Sequence, residues 1–158
     1  MKYTHNNKEL SMSNLGQTVY LKGWVQKSRN LGGLIFIDLR DRFGITQLMV
    51  KPDNKYYEVA LKIRSEFVIE AKGVVVEVVM KKSKVCPGEI EIDVVELFVL
   101  SASETPPISV SDDSDALEET RLKYRYLDLR SPGMQNFLIK RRAASGIFFT
   151  TISRLDIL

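Results

Sequence analysis

The sequence predicts a mainly β, five-stranded barrel with one helix between the third and fourth strands. Three observations carry this prediction. Five segments have the two-residue alternation or the β-branched run of a strand, glycine-containing turns separate the first three, and a segment with helical spacing lies between the third and the fourth. With 158 residues, of which 44% are hydrophobic, the chain is long enough for one such domain and the start of another.

The first three strands follow one another closely. Residues 19–26 alternate as a strand, with Gly23 at a bend, and residues 27–33 are expected to form a basic turn. In the second strand the aliphatic side chains face the core, so Phe36 faces outward. In the third, residues 45–50, the same alternation places Gln47 outward.

The remaining elements complete a recognisable order. Residues 52–67 have helical spacing, with Asp53 as the expected N-cap, and residues 68–80 and 89–100 supply the fourth and fifth strands. The order β-β-β-α-β-β is that of the OB-fold, a Greek-key barrel whose second and third strands present an oligonucleotide-binding face. A generic small barrel without a ligand is the alternative.

Candidate nucleic-acid contacts cluster on that face. Arg29, Phe36 and Gln47 can share one outward surface, where positive charge attracts phosphate and an aromatic ring accepts a base. The basic loop between the last two strands adds Lys81 and Lys82 as candidate phosphate contacts. The alternatives are that Phe36 covers a barrel end and that the polar residues are merely solvated.

Charge divides the chain into three parts. Residues 101–120 hold six acidic residues, five serines and a Pro-Pro pair but no basic residue, whereas residues 121–158 hold eight basic residues against two acidic ones. We therefore expect a barrel domain at 1–100, an acidic Ser/Pro linker at 101–120 and a C-terminal helical segment at 121–158.

Composition also excludes several classes of function. Cys86 and His5 are the only cysteine and histidine, so the chain cannot assemble a Cys/His zinc site, and no Ser-His-Asp or Cys-His-Asn triad can be assigned. No apolar run approaches the roughly 18 residues of a membrane span. We expect a cytoplasmic protein without a membrane partner.

Three motifs carry a resemblance to a known family. GWV at residues 23–25, LGGLIFIDLRDRFGITQ at 31–47 and RLKYRYLDLR at 121–130 resemble the N-terminal part of a bacterial-type aspartyl-tRNA synthetase, a class II enzyme, from about Leu10 to Leu138. The resemblance implies that the barrel reads the tRNA anticodon. It implies that Phe36 stacks on the middle base, that Gln47 and Arg29 contact the first two bases, and that Glu91 reads the third.

The resemblance also implies what the complete enzyme does. In that family a homodimer uses ATP and magnesium to join aspartate to tRNA, but neither the FRxE-type motif nor the later glycine-rich motif occurs in this sequence. We therefore expect no catalytic residue, cofactor site or metal site in this chain, which should be inactive alone. Residues 121–158 would be the hinge and first helix of a class II catalytic domain.

Two other functions stay open at this point. A general single-strand-binding OB module would bind RNA with strong salt dependence and little preference among sequences. A structural or dimerisation fragment would instead associate through its C-terminal apolar helix. Relative affinity for different anticodon loops, and the oligomeric state after deletion of residues 121–158, distinguish these from anticodon recognition.

Overall fold

Two compact units, Met1–Thr105 and Pro106–Leu158, make up the computed structural model. It describes residues 3–78 and 89–154, with side chains as far as residue 146. Among its described residues, the first unit contains a short 3-10 helix (Met12–Asn14), five strands and one α-helix. The strands and the α-helix are β1 (Thr18–Leu31), β2 (Leu34–Arg40), β3 (Ile45–Val50), α1 (Tyr57–Lys62), β4 (Val68–Glu77) and β5 (Ile90–Ser101).

The five strands close into a barrel in the order β1-β2-β3-β5-β4, with β4 pairing back to β1. All pairs are antiparallel except β3 with β5, which is parallel. The predicted OB-fold and its β-β-β-α-β-β order are confirmed. The parallel pair matters for function, because it places the start of β5 directly beside β3.

The barrel core follows the predicted two-residue alternation. Alternate aliphatic residues of β2, β4 and the first part of β1 are almost completely buried, including the three of β2 that were expected to face inward: Ile35, Ile37 and Leu39. The residues between them point to the outer surface of the barrel. Because β2 pairs with β1 on one side and with β3 on the other, the outward side chains of the three strands form one surface.

The first hairpin differs from its predicted form. The structure continues β1 to Leu31, so the strand includes Lys27 and Arg29, which the sequence had placed in a turn. The reversal uses only Gly32 and Gly33, both with positive φ (61° and 88°), as a two-residue hairpin turn favours. A bulge between Val25 and Lys27 explains the difference. It interrupts the two-residue alternation, so the sequence pattern predicted that the strand ends at residue 26.

Helix α1 is shorter than the sequence suggested. It begins at Tyr57, and Asp53 does not cap it. Asn54 organises the approach instead: its Oδ1 accepts from the Tyr56 amide at 2.8 Å, and its Nδ2 donates to the Val94 carbonyl oxygen. The asparagine thus ties the entry to the helix to β5, a contact between residues distant in sequence.

The second unit contains three helices in its described part: α2 (Glu118–Lys123), α3 (Arg125–Asp128) and α4 (Pro132–Arg154). Two residues of the predicted linker, Ile108 and Val110, are buried against Leu127 of α3. Asp128 accepts hydrogen bonds from Arg121 at 2.7 Å and from Arg125 at 2.6 Å. The domain boundaries at residues 100 and 120 stay predictions.

The helices in the described part of the chain include none that is both long enough and apolar enough to span a membrane.

Candidate nucleic-acid interface

Cross-strand pairing brings the predicted contacts onto one outer surface of the barrel. Arg29 of β1 lies opposite Phe36 of β2, and Asp38 of β2 lies opposite Gln47 of β3. The parallel register pairs Leu48 with Ile92, which places Gln47 beside Glu91 at the start of β5. Four strands thus present one continuous row of polar side chains.

The row begins with an ion pair between neighbouring strands. Arg29 Nη2 donates to both carboxylate oxygens of Asp38, at 2.7 and 2.9 Å. The Asp38 side chain has no exposed surface, whereas that of Arg29 keeps 22%. Because a hydrogen bond between two charged groups is stronger than a neutral one, this pair fixes the guanidinium at the surface.

Gln47 connects the ion pair to Glu91. In the amide orientation that satisfies both neighbours, Gln47 Oε1 accepts from Arg29 Nη2 and Nε2 donates to Glu91 Oε1, each at 3.2 Å. Gln47 points to the outer face, as predicted, because the adjacent Leu48 enters the core, but its flanking side chains cover it and leave it only 7% exposed. The resulting chain of contacts, Asp38–Arg29–Gln47–Glu91, is called the polar row below.

Glu91 ends the polar row as a carboxyl group in a desolvated position. It is 6% exposed, and burial raises its pKa above the usual value of 4.5. The protonated form therefore persists to a higher pH than in water. A carboxyl group of this kind accepts a hydrogen bond when ionised and can also donate one when protonated.

Phe36 supplies the apolar part of the surface. Its ring is partly exposed on the outer face, between Arg29 on one side and Met49 on the other, while the adjacent Ile35 and Ile37 enter the core. An aromatic face held beside hydrogen-bonding groups can stack on one base while the polar groups read base edges.

Two further predicted contacts cannot be placed. Lys81 and Lys82 lie outside the described residues. Asp38, by contrast, was not among the candidate contacts, although its position two residues after Phe36 puts it on the same outer face. That periodicity was the one signal that could have identified it.

The described residues contain no cluster of three or more His, Cys, Asp or Glu side chains suited to a metal ion. What the polar row and Phe36 offer is recognition chemistry: a guanidinium, an amide with both a donor and an acceptor, a carboxyl group and a π-face. These are the groups that bind unstacked bases of single-stranded RNA.

Comparison with known proteins agrees with this interpretation. In sequence, the chain is 51% identical over 150 residues to an aspartate–tRNA ligase of Ruminiclostridium cellulolyticum, covering 91% of this chain and 25% of that protein. It is 44% identical over 160 residues to the aspartate–tRNA ligase of Mycoplasma mycoides, covering 99% and 28%. The chain thus spans about a quarter of the length of the curated relatives it matches, and the resemblance to aspartyl-tRNA synthetases is confirmed.

Solved structures show the same fold. An aspartyl-tRNA synthetase from Entamoeba histolytica superposes with a TM-score of 0.85 over 99% of this chain and 38% of its own, at 23% identity. An asparaginyl-tRNA synthetase from Pyrococcus horikoshii, complexed with asparaginyl-adenylate, gives a TM-score of 0.71 at 30% identity, covering 84% and 30%.

A family model described as an OB-fold nucleic acid binding domain, of the tRNA anticodon type, matches residues 19–100. These residues include all five strands of the barrel except the first residue of β1 and the last residue of β5, together with Phe36 and the whole polar row. The chain belongs to this family of OB-fold nucleic acid-binding domains.

Proposed function

We propose that this chain reads the anticodon of an aspartate-specific tRNA as the N-terminal region of an aspartate–tRNA ligase. The observation that carries the proposal is the convergence of Arg29, Gln47 and Glu91 in one polar row beside Phe36. Residues from four strands meet there, and each type suits a different contact with an unpaired base. The similarity to aspartate–tRNA ligases supports an aspartate-specific tRNA as the RNA.

In this proposal the chain supplies recognition, and the complete ligase supplies the reaction. The complete enzyme would be a cytoplasmic homodimer that forms aspartyl-tRNA from aspartate, ATP and tRNA. Phe36 stacks on the middle anticodon base, Arg29 and Gln47 contact the first two bases, and Glu91 contacts the third. Stacking holds any base, so selectivity comes from the polar row.

The proposal is tested by direct binding of the 158-residue chain to short RNAs. One is an anticodon stem-loop carrying GUC, and the second is identical except for its middle base. We expect the chain to prefer the GUC loop at moderate salt. Measuring at two salt concentrations separates base recognition from attraction to phosphate, because only the latter falls steeply with added salt.

Phe36→Ala tests the stacking contact, with Phe98→Ala as its control. Phe98 is 45% exposed on β5, where it lies opposite Glu70 of β4, seven residues along the strand from Glu91. Loss of a base stack costs about 1–3 kcal/mol, so Phe36→Ala should weaken GUC binding by roughly 5- to 150-fold. Phe98→Ala should leave it unchanged.

The possible results separate the proposed function from the alternatives. Equal binding of all loops, with a steep salt dependence, would identify a general single-strand binder. No binding of any loop would leave the barrel as a scaffold. Equal losses in both alanine variants would show that the Phe36 effect is not local to the face.

A further inference from the structure

Asp38 belongs to the polar row, but none of the proposed base contacts is assigned to it. It is the most deeply buried member, with no exposed surface, and so cannot itself meet a base. Both of its oxygens are engaged by Arg29 Nη2, and cross-strand pairing sets it opposite Gln47. It therefore contacts Arg29 and lies next to Gln47, two of the groups that would bind RNA.

The contacts of the polar row differ in strength. The contact from Arg29 to Asp38 joins two charges at 2.7 and 2.9 Å in a site shielded from water. The contacts of Gln47 are longer, at 3.2 Å, and involve a neutral amide. Separating the guanidinium from Asp38 would break a hydrogen bond between two charged groups in a buried site, whereas the longer bonds of the neutral Gln47 amide can be replaced at less cost.

This difference determines which contacts an incoming base can replace. A base edge carries donors and acceptors like those of the Gln47 amide, so it can replace the bonds of Gln47 to Arg29 and Glu91. The Arg29–Asp38 pair should persist. The guanidinium Nε, which is buried and has no acceptor among the described residues, shows that the pair leaves part of the donor set of Arg29 unused.

We propose that Asp38 is a positioning residue for base recognition: its buried carboxylate holds the Arg29 guanidinium fixed while a base replaces the contacts of Gln47. The inference rests on the proposed function and extends it, because a buried residue of the barrel would contribute to the preference for one anticodon loop over another. Selectivity would then depend on a residue that does not contact the RNA.

Asp38→Asn tests the proposal, because it removes the charge and keeps the size of the side chain. With the 158-residue chain, we expect preference for the GUC stem-loop over loops changed at the first or middle base to fall about tenfold. Low-salt binding to an unrelated single-stranded RNA should change less than twofold, since attraction to phosphate does not need a fixed guanidinium.

Glu66→Gln is the matched control. Glu66 accepts from Arg40 Nη2 with both oxygens, at 2.8 and 3.1 Å, and is likewise buried, but it lies outside the polar row. Both variants thus remove one charge from a buried arginine pair. We expect Glu66→Gln to lower stability and to leave discrimination between the RNA loops unchanged. Equal loss of discrimination in both variants would overturn the positioning role.

A thermodynamic cycle with Arg29→Lys adds a measurement that a purely structural role would not affect. If Asp38 acts through Arg29, the two substitutions should not add. The variant with both Asp38→Asn and Arg29→Lys should then keep as much preference for the GUC loop as the single variant that has lost more of it. Independent, additive losses would overturn the proposal. So would an Asp38→Asn variant that keeps its discrimination within twofold of the original chain.

Asp38→Glu covers the case in which Asp38→Asn does not fold. It keeps the charge but lengthens the side chain by one methylene, so it should displace the guanidinium, keep low-salt RNA binding and reduce discrimination at least threefold. Unchanged discrimination would overturn the proposal. If the original chain itself does not discriminate between loops, the proposed function fails, whereas discrimination that survives at Asp38 variants refutes only the positioning role.

Discussion

Gln47 Nε2 donates to Glu91 Oε1 at 3.2 Å across the one parallel strand pair in the described barrel. The contact joins residues 44 positions apart in sequence and exists only because β5 returns beside β3. It leaves Glu91 buried next to an amide, and no cationic side chain in the described part of the chain forms an ion pair with it. This explains why burial is the dominant influence on its pKa.

The raised pKa of Glu91 makes a prediction about stability and pH. Below the pKa of 4.5 that the group has in the unfolded chain, the Glu91 carboxyl group is protonated in both the folded and the unfolded state. Its favourable contribution to the free energy of unfolding is then fully present. As pH rises toward and through the raised folded pKa, the unfolded chain ionises more readily than the folded one. This contribution to the free energy of unfolding therefore falls with increasing pH.

Urea unfolding of the original chain and of Glu91→Gln, from pH 4 to pH 8, measures this effect. We expect the glutamine variant to gain stability relative to the original chain as pH rises, because its side chain cannot ionise. All other titrating groups are common to both proteins and cancel in the difference. Parallel stability curves across the whole range would contradict the prediction.

The sequence could predict the barrel because the two-residue alternation is local. Ile35 and Ile37 identify the inner face of β2 without any knowledge of its neighbours, and Phe36 follows as an outer residue. The order of strands and helix then indicates the OB-fold. For the same reason Gln47 was correctly assigned to the outer surface.

The remaining features depend on contacts between distant segments. Arg29 lies in a strand because a bulge shifts the register of β1 against β2, and a bulge has no clear sequence signal here. Gln47 is buried because Arg29 of β1 and Glu91 of β5 cover it from two sides. Asn54 rather than Asp53 shapes the entry to α1 because it reaches the carbonyl oxygen of Val94.

Gly23 is required where β1 passes β2. A Cβ atom at this position would collide with the backbone oxygen of Arg40, an atom that cannot move without shifting the strand. We expect Gly23→Ala to lower the free energy of unfolding by about 1–3 kcal/mol, as overpacking does. Urea denaturation measures the loss.

Gly44→Ala is the control for Gly23→Ala. A Cβ atom at Gly44 would meet its nearest neighbours at 3.7 Å, an ordinary contact distance. We expect a change within about 0.5 kcal/mol. A comparable loss in both variants would show that glycine flexibility, rather than the close approach to Arg40, explains the effect.

Gly32 tests the turn that keeps Arg29 opposite Phe36. Its φ of 61° is left-handed, which costs an alanine about 1 kcal/mol, whereas asparagine adopts this region more readily. A Cβ atom at Gly32 would meet nothing within 4 Å, so sterics with neighbours do not interfere. We expect Gly32→Ala to be less stable than Gly32→Asn in urea unfolding. The reverse order would contradict the turn geometry.

The last prediction concerns the ion pair between Arg40 and Glu66. Substituting one partner or both distinguishes the cost of losing the arginine from the contribution of the pair to the free energy of unfolding. Arg40→Met leaves Glu66 buried without this partner and should cost about 3 kcal/mol of unfolding free energy. Adding Glu66→Gln removes the buried negative charge at this position. The double variant should therefore be more stable than Arg40→Met alone in urea unfolding at neutral pH. If the second substitution instead adds a further loss, the cost of Arg40→Met does not come from burying the Glu66 carboxylate without its bond to Arg40.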